Sequence, residues 1–335
     1  MAGLTYQKKS KLNTAVRVVL IVLAAIALLA VLRFVYLGRF LVYDEHGVHF
    51  DRSGSSLAAQ EQAQETPSGE FKLISETPKE EIAAEPETPK ISGLYLTAEQ
   101  LMDEDVRAAL DPLPENCNTV MLDMKTLTGK ALYPSTLCDT VKADTDAIES
   151  FVQGISLKSS ASPVARIPAY RDSAFALSDY SNALAIRGGA LWMDANGSYC
   201  LDPAKDAVRE YLIATAEELS ALGFREIVFD GFDFPQSTYI VYPGDGQQAA
   251  REAAAVIAEA LAEKNISVSF GSTDPEIMAL SAHAWIETSG GELVSSLVRD
   301  YGAYLPEGEK TLVFLTSSKD TRFADYGVLS PPETE

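Results

Sequence analysis

One stretch, Gly223 to Pro235 (G-F-R-E-I-V-F-D-G-F-D-F-P), constrains the fold of this chain more than any other. Gly223 stands where a glycine ends a helix, and Ile227, Val228 and Phe229 make an apolar run too short to be one. Asp230 and Asp233 follow where that run stops. Upstream, Asp202-Pro203 reads as an N-cap and first-turn proline, and Val208, Leu212, Leu219 and Leu222 recur at helical spacing. The pattern predicts a helix over Pro203 to Leu222 that feeds a short buried strand, the repeating unit of parallel α/β folds.

The same alternation runs through the rest of the chain from Ile91 onward. Strands are expected at Ile91–Leu96, Thr119–Met124, Pro163–Ala169, Glu226–Gly231, Ile266–Gly271, His283–Ile286 and Thr311–Thr316, with a weakly marked eighth at Tyr326–Leu329. Helices are expected after Thr97 and Gln100, which form a capping box, and near Asp144–Gln153, Ser173–Ile186, Gln247–Lys264 and Glu292–Tyr304. These 245 residues match the ~250 of a TIM-type (β/α)8-like barrel. The fold expected for residues 91–330 is therefore such an α/β barrel, degenerate in its last, poorly marked quarter.

The N-terminal part has a different texture. Val18 to Leu32 is unbroken apolar and the run continues past Arg33, giving the ~20 residues that cross a bilayer as a helix. Lys8, Lys9, Lys11 and Arg17 precede it, which places the N-terminus in the cytoplasm and the remainder outside. A cleaved signal peptide is the competing reading, but no small-residue cleavage site follows the block. The expected organisation is a basic cytoplasmic end (1–15), a transmembrane helix (16–37), a juxtamembrane segment with a disordered acidic linker (38–90), and the barrel (91–330). Ser53 to Lys90, rich in Ser, Glu, Pro, Ala and Gln, has too few large apolar residues to fold.

Residues 1–43 hold six basic residues and no acid, so the remainder carries 21 basic and 48 acidic side chains. So acidic a surface repels phosphate backbones, which argues against nucleic acid as a partner. Cys117, Cys138 and Cys200 allow one disulfide and a free thiol and fit no metal spacing. Neither a metal nor a cofactor is called for, and the glycine-rich phosphate loops and the nucleophile elbow are missing.

In a parallel barrel the C-terminal strand ends gather on one rim, whatever their separation in sequence. Here they bring Asp123 and Lys125 (second strand), Arg166, Tyr170 and Asp172 (third), Asp230 and Asp233 (fourth), Asp274 (fifth) and Glu287 (sixth) to one mouth. Glycoside hydrolysis needs one carboxyl that protonates the leaving oxygen and another, ionised, that attacks the anomeric carbon or activates water. Asp230, Asp123 and Glu287 are the catalytic candidates. Lys125, Arg166, Tyr170, Asp172, Trp192 and Asp233 are candidates for holding substrate, the aromatics by stacking on sugar faces. Plainer roles compete: Asp172, Asp202 and Asp274 each stand where a helix N-cap belongs, and Trp192 suits core packing.

Five segments resemble the putative glycoside hydrolase family of membrane-anchored or secreted bacterial proteins with an amylase-like α/β barrel. They are G-L-Y-L-T from Gly93, V-M-L-D-M-K-T-L-T-G-K-A-L-Y-P-S from Val120, A-R-I-P-A-Y-R-D from Ala165, L-D-P from Leu201, and the Gly223–Pro235 stretch. The resemblance implies functional roles for Asp123, Lys125, Arg166, Asp172 and Asp230. Two departures stand out. Gly231 and Asp233 replace a large residue and an arginine, reversing a charge at the rim, and the later motifs are not recognisable after Gly271. Two functions are expected: a membrane-tethered extracytoplasmic hydrolase acting on a polysaccharide or cell-envelope glycan, or an inactive barrel binding envelope carbohydrate as an anchor or scaffold.

Overall fold

Eight short strands, all parallel, are the frame on which everything else is hung. In chain order they are β1 (Ser92–Leu96), β2 (Thr119–Asp123), β3 (Ser162–Pro168), β4 (Glu226–Asp230), β5 (Ser267–Phe270), β6 (Ala284–Glu287), β7 (Leu312–Leu315) and β8 (Gly327–Ser330). Neighbours pair in the order β5-β4-β3-β2-β1-β8-β7-β6, a nearly closed barrel of TIM type. The computed structural model describes residues 41–44, 47–50, 90–306 and 308–332. The chain divides into two compact units, Met1–Ile82 and Ala83–Glu335. In the first, Leu41–Asp44 pairs antiparallel with Gly47–Phe50. The second holds the barrel.

Each strand appears where an apolar run predicts it, because strands covered on both faces read as nearly continuous apolar sequence. Alternate side chains point to opposite sides. Met121, Val164, Val228, Val313, Leu315 and Leu329 face inward and fill the barrel together with Ile91, Tyr95 and Trp285. Val120, Leu122, Ala165, Ile167, Ile227 and Phe229 face outward into the layer between sheet and helices. Phe229 is fully buried there, which contributes roughly 2–3 kcal/mol.

The outer helices are α1 (Ala98–Met102), α2 (Glu104–Ala109), α3 (Thr145–Lys158), α4 (Ser173–Ser178), α5 (Asp206–Ala221), α6 (Gly246–Ala262), α7 (Pro275–Met278) and α8 (Val294–Gly302). Thr97 and Gln100 form the expected capping box on α1, and Asp172 and Asp274 cap α4 and α7. Gly223 takes the left-handed conformation (φ +107°) that turns the chain out of α5.

Three helix expectations are corrected. The helix before β4 starts at Asp206, not Pro203, and Asp202 does not cap it. The Asp202 carboxylate instead accepts from the Ala204 amide (3.0 Å) and the Tyr242 hydroxyl (2.9 Å). The helix expected over Ser173–Ile186 stops at Ser178, because residues beyond it pair in extended form: Ala183 with Leu201, Ala185 with Leu191, and Ile186 with Ile240. The helix expected over Glu292–Tyr304 is shortened to α8, preceded by a 3-10 turn, Gly291–Leu293. All three cysteines are free thiols, so the disulfide the sequence allowed is not formed.

Among the described residues no backbone ladder joins β5 to β6, the two ends of the sheet. Side chains close the seam at its lower end instead. Buried Glu226 on β4 accepts from Ser269 Oγ (2.5 Å) and Trp285 Nε1 (2.9 Å) and lies 2.8 Å from His283 Nδ1. Ser269 Oγ also accepts from the His283 amide (2.9 Å), and the Ala282 amide donates to the Val268 carbonyl (2.9 Å). The transmembrane helix expected at 16–37 lies outside the described residues, and among those no helix is long and apolar enough to cross a membrane.

Candidate active site

The strand register decides which acids meet. Asp123 is opposite Arg166, and Pro168 is opposite Asp230, so the inward-facing residues at the ends of β2, β3 and β4 stand side by side at the mouth. Glu287, at the end of β6, approaches across the barrel. Asp123, Arg166, Asp230 and Glu287 line one cavity of about 580 Å³, together with Thr97 and Glu99 from the β1 end. This volume lies within the range of small-molecule sites.

Arg166 is the hub of the cluster. Its Nε and Nη2 meet the two Asp123 oxygens at 2.5 and 3.0 Å, a bidentate pair, while Nη1 is 3.7 Å from Glu287 Oε2. The side chains of Arg166 and Asp123 retain only 15% and 19% of their exposure. Burial alone would lower the guanidinium pKa, but the Asp123 hydrogen bonds and the charges of Asp123, Asp230 and Glu287 outweigh it and raise it. Tyr95, inward on β1, has its phenol pKa raised by burial first and then by Glu287 and Asp123, against a lowering by Arg166.

The two remaining acids are held differently. Glu287 keeps 72% of its side-chain exposure. Among the described residues the Asp230 carboxylate has no hydrogen-bond or ion-pair partner, and it stands free in the cavity wall. Gly271, at the end of β5, makes room for it: a Cβ there would lie 3.1 Å from Asp230 Oδ1 and 3.2 Å from Asp230 Cα. The chain passes this close only because residue 271 has no side chain.

The other candidates are placed elsewhere. Lys125 lines the cavity, but its ammonium is buried on Asp172 (2.7 Å) and the Tyr211 hydroxyl (2.8 Å), both carboxylate and lysine being 1% exposed. Asp172 also accepts from the Phe175 amide as the cap of α4 and from Tyr211 (2.6 Å). Tyr170 is buried outside the barrel against Phe232 (ring centroids 4.8 Å apart), with its hydroxyl unpartnered among the described residues and its pKa well raised, by burial first. Trp192 packs, half-buried, on the outer core. Asp233 is engaged by Ser272 Oγ and by the Thr273 amide and hydroxyl (3.0 Å each), which ties the β4 loop to the β5 loop.

Sequence reasoning missed Tyr95, Thr97 and Glu99. Their signal was present, since Tyr95 alternates inward between Leu94 and Leu96 and Thr97 follows directly at the strand end.

The fold and the site together define a TIM-type α/β barrel whose C-terminal mouth holds three carboxylates around one arginine. A family model described as "Putative glycosyl hydrolase domain" matches residues 93–272, and the chain belongs to that family. The match ends just past β5, so β6 to β8, including Glu287, lie beyond it. No curated protein matches the chain. Among solved structures, the galactosidase domain of an α-galactosidase–sucrose kinase aligns with a TM-score of 0.53 at 11% identity, over 74% of this chain and 38% of that one. That likeness is one of fold. A hypothetical protein from Ruminiclostridium thermocellum aligns over 53% of this chain and 96% of its own (21% identity, TM-score 0.46). The glycoside hydrolase domain of PelA from Pseudomonas aeruginosa aligns over 72% and 94% (14% identity, TM-score 0.42).

Proposed function

We propose that the barrel hydrolyses an O-glycosidic bond of a polysaccharide or cell-envelope glycan, with Asp230 and Glu287 as the working carboxylates. The observation that carries this is the convergence of Asp123, Asp230 and Glu287 with Arg166 on one cavity at the strand C-terminal ends. Asp123 is not given the proton-donor role, because both of its carboxylate oxygens are engaged by Arg166. It serves instead to fix Arg166, whose charge faces the reacting centre. Asp230, unpartnered and in the wall, is the nucleophile or the electrostatic stabiliser of an oxocarbenium-like transition state. Glu287, which lines the same cavity and approaches from across the barrel, is the acid.

The test is hydrolysis of a glycan panel by the wild type and by Asp230→Asn. Turnover that disappears in the variant supports the reading, and turnover that survives in it refutes it.

A second reading, a barrel that binds glycan without cleaving it, is favoured by Asp233. That acid, where the family carries an arginine, is spent on tying two loops together, so a substrate clamp is missing. Retained binding with no turnover would select this reading. For either one, residues 16–37 would anchor the chain in the cell membrane with the N-terminus cytoplasmic, and residues 38–90 would space an extracytoplasmic barrel from the bilayer. Protease shaving of intact cells tests that placement, since the barrel must be cleaved while the first residues stay protected.

A further inference from the structure

The open seam of the barrel reaches the active-site mouth. Above the Glu226 cluster the gap between β5 and β6 holds a second cavity, of about 290 Å³, and Asp230 and Glu287 line it as they line the first. The two acids proposed to do the chemistry therefore stand on the divide between two cavities. A glycosidase places its carboxylates in this way, at the junction of the sugar that takes up water and the sugar that leaves, with a binding space on either side.

The lining of the seam cavity suits a sugar ring. Trp285, Tyr301, Leu297 and Met278 give it apolar and aromatic walls, and Asp233 and Thr273 stand at its polar edge. The Trp285 indole is held in place from below by its bond to Glu226 (2.9 Å), so that wall is set before any ligand arrives. Asp230, Asp233 and Glu287 are its charged groups, and among the described residues no lysine or arginine lines it. An acidic sugar would be repelled there, whereas a neutral or amino sugar would not.

We infer that the seam cavity is a second saccharide subsite, and that the substrate is an oligosaccharide or polymer of neutral or amino sugars threaded past Asp230 and Glu287 into the gap between β5 and β6. This rests on the hydrolase reading above and narrows it to a chain substrate.

The test uses full-length protein carrying Asp230→Asn on a glycan array bearing chain-length series of neutral, amino and uronic oligosaccharides. Binding should strengthen with length, by about tenfold from one sugar to three, in the neutral or amino series alone. Thr273 is exposed at the cavity edge, so Thr273→Trp plugs the cavity at the loss of one hydroxyl bond to Asp233, whose bonds from Ser272 and the residue 273 amide remain; it should abolish the length dependence and leave the monosaccharide signal. Tyr301→Ala, which removes a wall instead, should weaken only the longer chains. Length-independent binding, a preference for the uronic series, or an unaltered length series in Thr273→Trp overturns the subsite while leaving the hydrolase reading standing. Absence of binding to every glycan overturns both.

Discussion

Removal of the Arg166 guanidinium, as in Arg166→Met, tests whether one cation holds the mouth together. Three carboxylates face this group, and the bidentate contact to Asp123 is mostly withdrawn from water at 15% and 19% exposure. Breaking a fully buried pair by deleting one partner costs about 3–5 kcal/mol. Since both groups here keep some solvent, about 3 kcal/mol is expected, and for a barrel of this size that lowers Tm by about 6–12 °C. The Arg166 pKa is raised above its ordinary value, so its stabilising contribution is complete at neutral pH and is lost only in strong alkali. Urea unfolding of both proteins at neutral pH measures the deficit, and one below about 0.5 kcal/mol would refute the reasoning.

Three further outcomes are expected. Lys125→Met strands the buried Asp172 carboxylate and should cost about 3–5 kcal/mol in urea unfolding, while glycan affinity per folded molecule stays unchanged. Gly271→Ala pushes a methyl to within 3.1 Å of Asp230 Oδ1, and should lower turnover about tenfold with a stability loss of only about 1–3 kcal/mol. Burial alone would raise the Glu218 pKa, but the hydrogen bonds from Ser135, Thr136 and Tyr133 outweigh it and bring it below its ordinary 4.5. Its contribution is present above about 4.5 and is lost as pH falls through the lower folded value, so the stability gap between wild type and Glu218→Gln should close in acid.

Much of this architecture is legible in the sequence, for a definite reason. Buried parallel strands must be apolar on both faces, so Ile227–Phe229 and Leu312–Leu315 declare themselves without reference to their neighbours. Strand ends in turn locate the mouth, which is why Asp123, Arg166, Asp230 and Glu287 were readable as one group. Partner choice is not readable in this way. Nothing in the neighbourhood of Lys125 says that Tyr211, a helix residue 86 positions away, will help bury its ammonium with Asp172. Helix ends failed where long-range contacts intervened: Tyr242 occupies Asp202, and Leu191, Leu201 and Ile240 draw the chain after Ser178 into extended pairing. The seam is equally silent, because β5 and β6 each read as ordinary strands and only their failure to pair opens the second cavity.

A crystal structure of Asp230→Asn soaked with the longest oligosaccharide it binds would test the central claim most directly. The glycan should lie across the mouth with a glycosidic oxygen between residue 230 and Glu287, and with Arg166 still clasping Asp123. A glycan bound only on the outer face, or one whose linkages stay remote from both residues, would contradict it.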